Sequence, residues 1–172
     1  GNVMHMAAAE LEAEDRFHVI NSANLSTGIG LLVVEAAIMA KNNRTASQIV
    51  SEIEKLKPNV RASFVVDTLT YLYRGGRCNA VAAMAGGVLK LHPRIVVEDG
   101  SMNASKKYRG KIASVVMNYV KDMEKDLKNA RPERVFITHS GCKQETVEKV
   151  RAYLEELYVF DEILETRAGG VI

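Results

Sequence analysis

The chain has 172 residues, with 23 basic against 21 acidic side chains and a formal net charge of +2. That is one domain on the usual scale of roughly 100–200 residues, and a chain near 150 residues hides about 68–70% of its unfolded surface. Apolar residues at 47% and charged residues at 26% exclude disorder as the main state, and the balanced charge makes no case for nucleic-acid binding.

Residues 3–14, rich in Ala, Met and Glu, predict a helix. Phe17-His18-Val19-Ile20 predicts a short buried strand, and Asn21-Ser22-Ala23-Asn24 a loop. From Ser26 or Thr27 the pattern is helical through Ala40, with Gly28 and Gly30 in the first turn. Thr45 with Gln48 three residues on is a capping-box signature; Ile49, Ile53 and Leu56 then make one apolar face, which Pro58 ends. Ser63–Val66 predicts a second strand, followed by a helix from about Asp67 to the Gly75-Gly76 break and another over residues 79–90. Arg94–Glu98 predicts a third strand, ended by Asp99-Gly100, a strong hairpin signal.

Ile112, Val115, Tyr119, Val120, Met123 and Leu127 trace the face of one long amphipathic helix. After Pro132, Val135–Thr138 predicts a fourth strand, Val147, Val150, Leu154 and Leu157 the last helix, and Ile163-Leu164 the start of a fifth strand. Alternating strands and helices predict an α/β fold. The chain opens directly in helix-forming residues and closes on Ala168-Gly169-Gly170-Val171-Ile172, a turn with the first residues of a strand. Both ends predict a piece of a larger fold.

Two cysteines, Cys78 and Cys142, exclude a disulfide scaffold, an all-cysteine zinc site and a C-x-x-C redox pair. No run approaches the roughly 18 apolar residues of a spanning helix, so no transmembrane segment is expected. No signal-peptide pattern opens the chain, and a cytoplasmic location is expected. Ser26-Thr27-Gly28-Ile29-Gly30 lies at a loop-to-helix junction, where backbone N–H groups and the helix dipole can hold an anion. It lacks the P-loop ending and the three-glycine dinucleotide fingerprint, and close packing of a helix N-terminus explains the same residues. Arg74-Gly75-Gly76-Arg77 offers either a guanidinium fork for carboxylate or phosphate or a glycine C-cap with a basic last turn. Lys106-Lys107-Tyr108-Arg109-Gly110-Lys111 is either a solvated basic face or a docking patch. His139, at a strand's C-terminal end, is a base, an anion ligand or a satisfied loop histidine. The four histidines lack metal spacing, and no metal site is expected.

Val19–Ser22, Asn24–Gly30, the run Val66-Asp67-Thr68-Leu69-Thr70-Tyr71-Leu72-Tyr73-Arg74-Gly75-Gly76-Arg77, Gly86–Leu91, Asp99-Gly100 and Lys107-Tyr108-Arg109 together resemble the DegV family of bacterial fatty-acid-binding proteins. The resemblance runs from about residue 4 to 172, and its middle motif, Asp-Thr-Leu-x-Tyr-Leu-x-x-Gly-Gly-Arg, is quite specific. It implies that residues 1–20 end an N-terminal α/β domain or its connection, and that 21–172 form the C-terminal domain, cut at its last strand. It implies that two domains hold one long-chain fatty acid, whose carboxylate a separate fatty-acid kinase phosphorylates; the protein itself would be no enzyme and would carry no cofactor beyond the bound acid. The Thr, Ser and His that hold the head group in the family are expected outside residues 1–172. Ser26, Thr27, Gly28 and Gly30 are expected near the lipid head group, and Arg77 and Arg109 at the kinase or acyl-phosphate contact. One departure is His92, in His92-Pro93-Arg94-Ile95, where the family usually has Lys-Pro-Ile. Two other readings stand beside this one: a phosphate-handling α/β enzyme using the Ser26–Gly30 turn with Arg77 and Arg109, and a purely structural partner domain.

Overall fold

A computed structural model describes residues 2–76 and 91–169. Arg77, Cys78, the predicted helix over 79–90 and the turn beyond Gly169 lie outside the described residues. The chain divides into two compact units, the first formed by residues up to Ala62 with Val97–Ser101, the second by Ser63–Val96 with the residues from Met102 onward.

The first unit contains α1 (Asn2–Glu10), α2 (Ser26–Lys41) and α3 (Ala46–Leu56), the last followed by a 3₁₀ turn at Lys57–Asn59. α1 ends four residues earlier than expected, because Glu12 takes a left-handed φ of 48° that no helix continues through. Phe17–Ile20 forms no strand, which corrects the sequence expectation. It has no ladder partner among the described residues, and Phe17 is 48% exposed. An apolar run supplies strand propensity, but a strand also needs a neighbour's N–H and C=O groups. α2 packs on α3, burying Leu32 and Ile53. The capping box of α3 is present: Gln48 N–H donates to Thr45 Oγ1 at 3.3 Å, and Thr45 N–H to Gln48 Oε1 at 3.0 Å.

The second unit is mixed α/β; of the strands and turn that follow, Ala62 and Val97–Ser101 are counted with the first unit. β1 (Ala62–Val65), β2 (Leu91–Glu98) and β3 (Ser101–Arg109) form a sheet in the order β1-β2-β3. Asp99 and Gly100, with φ of 50° and 74°, make the turn between β2 and β3, the pair of positive angles that a tight hairpin requires. The short α4 (Thr70–Arg74) follows β1. Phe64, Val66, Leu69, Leu72, Met102 and Ala104 surround the fully buried Ile95 of β2.

Next come α5 (Ile112–Asp122), α6 (Glu124–Lys128), β4 (Val135–His139), α7 (Gln144–Glu156) and β5 (Ile163–Arg167). β4 and β5 pair in parallel, Val135 opposite Ile163 and His139 opposite Arg167, and α7 is the crossover that parallel pairing needs. The single long helix expected over 112–127 is two helices. The backbone tightens at Met123, whose N–H bonds to the Val120 carbonyl at 3.1 Å, and the wider spacing resumes at Leu127. The apolar face runs on through the break, with Val116, Val120, Met123 and Leu127 packing with Val150 and Leu154 of α7 and with Val135, Ile137 and Ile163.

Candidate functional site

The Ser26–Gly30 turn belongs to the first unit. Leu25 precedes α2 without a side-chain cap, and Ser26 is exposed with a left-handed φ of 50°. Two amides of the turn are already bonded: Leu25 N–H donates to Asn24 Oδ1 at 3.1 Å and Gly28 N–H to the Leu25 carbonyl at 3.0 Å. Gly28 is buried, and a Cβ there would lie 1.9 Å from Asn24 Oδ1 and 3.1 Å from the Ala62 methyl. The same test at Gly30 meets only Thr27 at 3.9 Å, ordinary contact. The two glycines therefore have opposite expected responses to alanine. Helix propensity favours Ala by about 1 kcal/mol. At Gly28 overpacking of about 1–3 kcal/mol outweighs it, so Gly28→Ala lowers the unfolding midpoint in urea while Gly30→Ala raises it.

The Arg74-Gly75-Gly76 segment closes α4. Gly75 N–H bonds to the Tyr71 carbonyl at 2.9 Å, and Gly76 takes φ 64°, the left-handed conformation in which helices commonly end. The backbone at Gly76 fits a glycine C-cap. Arg74 is exposed.

The basic run 106–111 begins within a strand. Residues through Arg109 belong to β3, and strand alternation divides the run between two faces. Tyr108 is buried and donates to Asp122 Oδ2 at 2.7 Å, and Lys106 Nζ pairs with the same oxygen at 2.5 Å. Lys107 and Arg109 alternate with these and are exposed, and no described carboxylate forms an ion pair with Arg109. Around Tyr108 lies a polar cluster with no signal in the sequence. Tyr119 of α5 donates to the Ser63 carbonyl at 2.7 Å, its ring meets Tyr108 edge to face, and the Arg94 guanidinium sits 5.9 Å from its centroid. Burial pushes both phenols up, Tyr108 further through its bond to Asp122.

Lys106 and Tyr108, in that order, hold Asp122 below its ordinary value of 3.8. A carboxyl depressed on folding contributes stability that is present above its unfolded value and lost as pH falls through its folded one. Asp122→Asn is therefore expected to flatten the acid limb of a stability profile below about pH 4 and to leave the neutral limb with the same slope, measured by urea unfolding from pH 2 to 7.

His139 ends β4 with Nε2 3.2 Å from Glu165 Oε1. Arg151 of α7 reaches the other Glu165 oxygen at 3.5 Å and donates to the Ile163 carbonyl at 2.7 Å. The bond to His139 and the Arg151 charge hold Glu165 below the carboxylate range. That is a structural tie across the βαβ unit through Nε2, while Nδ1 is buried without a partner among the described residues. Cys142 nearby is a free, half-buried thiol. Among the described residues no group of three or more His, Cys, Asp or Glu is placed to hold a metal, and no helix is long and apolar enough to cross a membrane.

Ser26, Thr27, Gly28 and Gly30 thus lie in the first unit, Arg109 in the second, and Arg77 outside the described residues. The residue that sequence reasoning passed over is His92, which it registered only as a departure in type.

The family model described as an uncharacterised protein of the DegV family matches residues 1–172. A DegV domain-containing protein of Caldanaerobacter subterraneus subsp. tengcongensis is 30% identical over 164 residues, 94% of this chain and 57% of the relative. Among solved structures, a DegV family protein of Thermus thermophilus, described for its fatty-acid binding, superposes with a TM-score of 0.78 at 24% identity, over 97% of this chain and 59% of that one. DegV of Bacillus subtilis, described as a fatty acid binding protein, superposes with a TM-score of 0.72 at 25% identity, over 90% and 55% respectively. The chain thus spans little more than half the length of the relatives it matches, 57% for the Caldanaerobacter protein and 50% for the Bacillus one by sequence.

Proposed function

The chain belongs to the DegV family, and from that we propose that it supplies the acyl-chain side of a protein that binds a long-chain fatty acid between two domains. On this reading residues 21–172 are the C-terminal domain, and the protein is a cytoplasmic carrier without catalysis of its own. It presents the acid's carboxylate to a separate fatty-acid kinase for acyl phosphate formation. The observation that carries the proposal is the family match along the whole chain, joined to solved relatives whose descriptions name fatty-acid binding.

The residues support it physically. α2 is apolar nearly all round, and Ile29 and Val33, one turn apart, are 40% and 59% exposed. An acyl chain gains about 0.8 kcal/mol for each CH₂ moved from water to such a surface. Arg109, exposed at the end of β3, is the group proposed to meet the anionic acyl phosphate or the kinase, together with Arg77. A guanidinium presents paired donors to phosphate oxygens. Ser26, Thr27, Gly28 and Gly30 are proposed to lie near the head group.

The test is mass spectrometry of the purified protein, native and then denatured with lipid extraction. It is run on this chain and on a version extended at both ends with the corresponding segments of the Caldanaerobacter relative. One fatty acid per extended molecule is the expected result. Lipid on neither form would overturn the reading and bring forward a phosphate-handling enzyme built on the Ser26–Gly30 turn with Arg77 and Arg109.

A further inference from the structure

Arg109 is the last residue of β3, which stands at the edge of the order β1-β2-β3, so among the described strands only β2 pairs with it. The next residue, Gly110, takes φ 127°, and a Cβ there would meet nothing within 4 Å. A glycine in that conformation supplies a turn but no packing, and the ends of edge strands open locally at little cost. Two side chains flank Arg109 against this. After it, the His92 ring of β2 lies between the Val66 and Gly110 carbonyls, at 2.9 and 3.2 Å. Before it, Tyr108 is 6% exposed and its hydroxyl donates at 2.7 Å to Oδ2 of Asp122, the last residue of α5. The Tyr108 ring meets that of Tyr119 edge to face, centroids 6.5 Å apart, and the Tyr119 hydroxyl donates to the Ser63 carbonyl of β1 at 2.7 Å. Lys106, two residues earlier on the same side of β3, reaches the same Asp122 oxygen. One face of the strand end is thus tied to α5 and, through Tyr119, to β1, all within the second unit apart from Ala62 of β1. Successive side chains leave a strand on opposite faces, so an inward Tyr108 fixes the outward direction of Arg109.

We propose that Tyr108 is a positioning residue for Arg109: the bond from its hydroxyl to Asp122 holds the end of β3 in place, so that the guanidinium is presented to its anion in one direction. The anchor stands on this geometry alone, whereas its consequence for acyl phosphate formation rests on the function proposed above. Holding a group in its working direction before the reaction lowers the barrier, because the freedom to point elsewhere has already been given up. Tyr108→Phe isolates the anchor. It keeps the ring against Tyr119, removes only the donor, and leaves Asp122 paired with Lys106. The substitution therefore leaves no buried charge without a partner, and the fold is expected to survive it.

The test is made in the extended protein with two readouts. The ¹⁵N–¹H heteronuclear NOE of the Arg109 and Gly110 backbone amides reads the anchor, and both are expected to fall in Tyr108→Phe as fast motion grows at the strand end. Unchanged NOE values would overturn the anchor whatever the protein's function. The rate of acyl phosphate formation with kinase and ATP, at saturating carrier, reads the consequence. Tyr108→Phe is expected to lower it about tenfold at unchanged lipid stoichiometry. In an Arg109→Ala background the same substitution is expected to change the rate by less than about twofold, because Tyr108 acts through Arg109. A comparable further loss in that background would show that Tyr108 acts on the fold at large, and no loss beside an intact Arg109 would show that it positions nothing; either overturns the positioning role. A wild-type protein that carries no lipid, or is not a kinase substrate, would instead overturn the function reading and leave the NOE comparison to decide the anchor.

Discussion

Ile95→Ala is expected to lower the unfolding free energy of the second unit by about 3–5 kcal/mol, the upper part of the range for buried aliphatic truncations. Ile95 has no exposed surface and is held by β1, β3 and the start of α4 through Phe64, Val66, Met102, Ala104, Leu69 and Leu72. Its neighbours on β2 are fixed by the ladder and by the buried Pro93, so the site collapses poorly and the cavity persists. Total stabilities of domains are about 5–15 kcal/mol, so a large share is at risk. Urea denaturation with far-ultraviolet circular dichroism gives the value, and Ile95→Val, which removes one methylene, is expected to lose about 1 kcal/mol. A loss under about 1 kcal/mol for the alanine variant would mean that Ile95 is not the centre of this core.

Arg109→Ala, made in the extended protein, is expected to slow kinase-dependent acyl phosphate formation about 100-fold, the usual consequence of removing one donor from a developing anion. Arg77→Ala is expected to do the same. Arg109 is exposed at a strand end, so its removal costs the fold little. Bound lipid measured by extraction is expected to stay stoichiometric in both variants, which separates presentation of the acid from its capture. Rates equal to wild type in both would show that the basic residues at the end of β3 are a solvated face, and the carrier reading would need other contacts to the kinase.

The sequence by itself determined those features whose partners lie within a few residues. Thr45 and Gln48 form their box because each side chain needs only the other's backbone, three residues away. Asp99-Gly100 turns because its own dihedral preferences suffice, and the periodicities of 3.6 and 2 placed α2, α3, α7, β4 and β5. The family itself was legible in the run from Val66 to Arg77, although Arg77 lies outside the described residues. Tertiary structure decided the rest. Phe17–Ile20 has the composition of a strand, yet a strand exists only by pairing. The basic run 106–111 reads as one patch along the chain, but the pleat of β3 sends Lys106 to Asp122 and leaves Arg109 outward. His92 looked like a change of residue type, and its meaning comes from carbonyls 26 and 18 residues away. Local propensity is a property of a residue and its neighbours in sequence, whereas a hydrogen-bond acceptor facing a buried ring is supplied by the fold, and no pattern in the chain announces which one it will be.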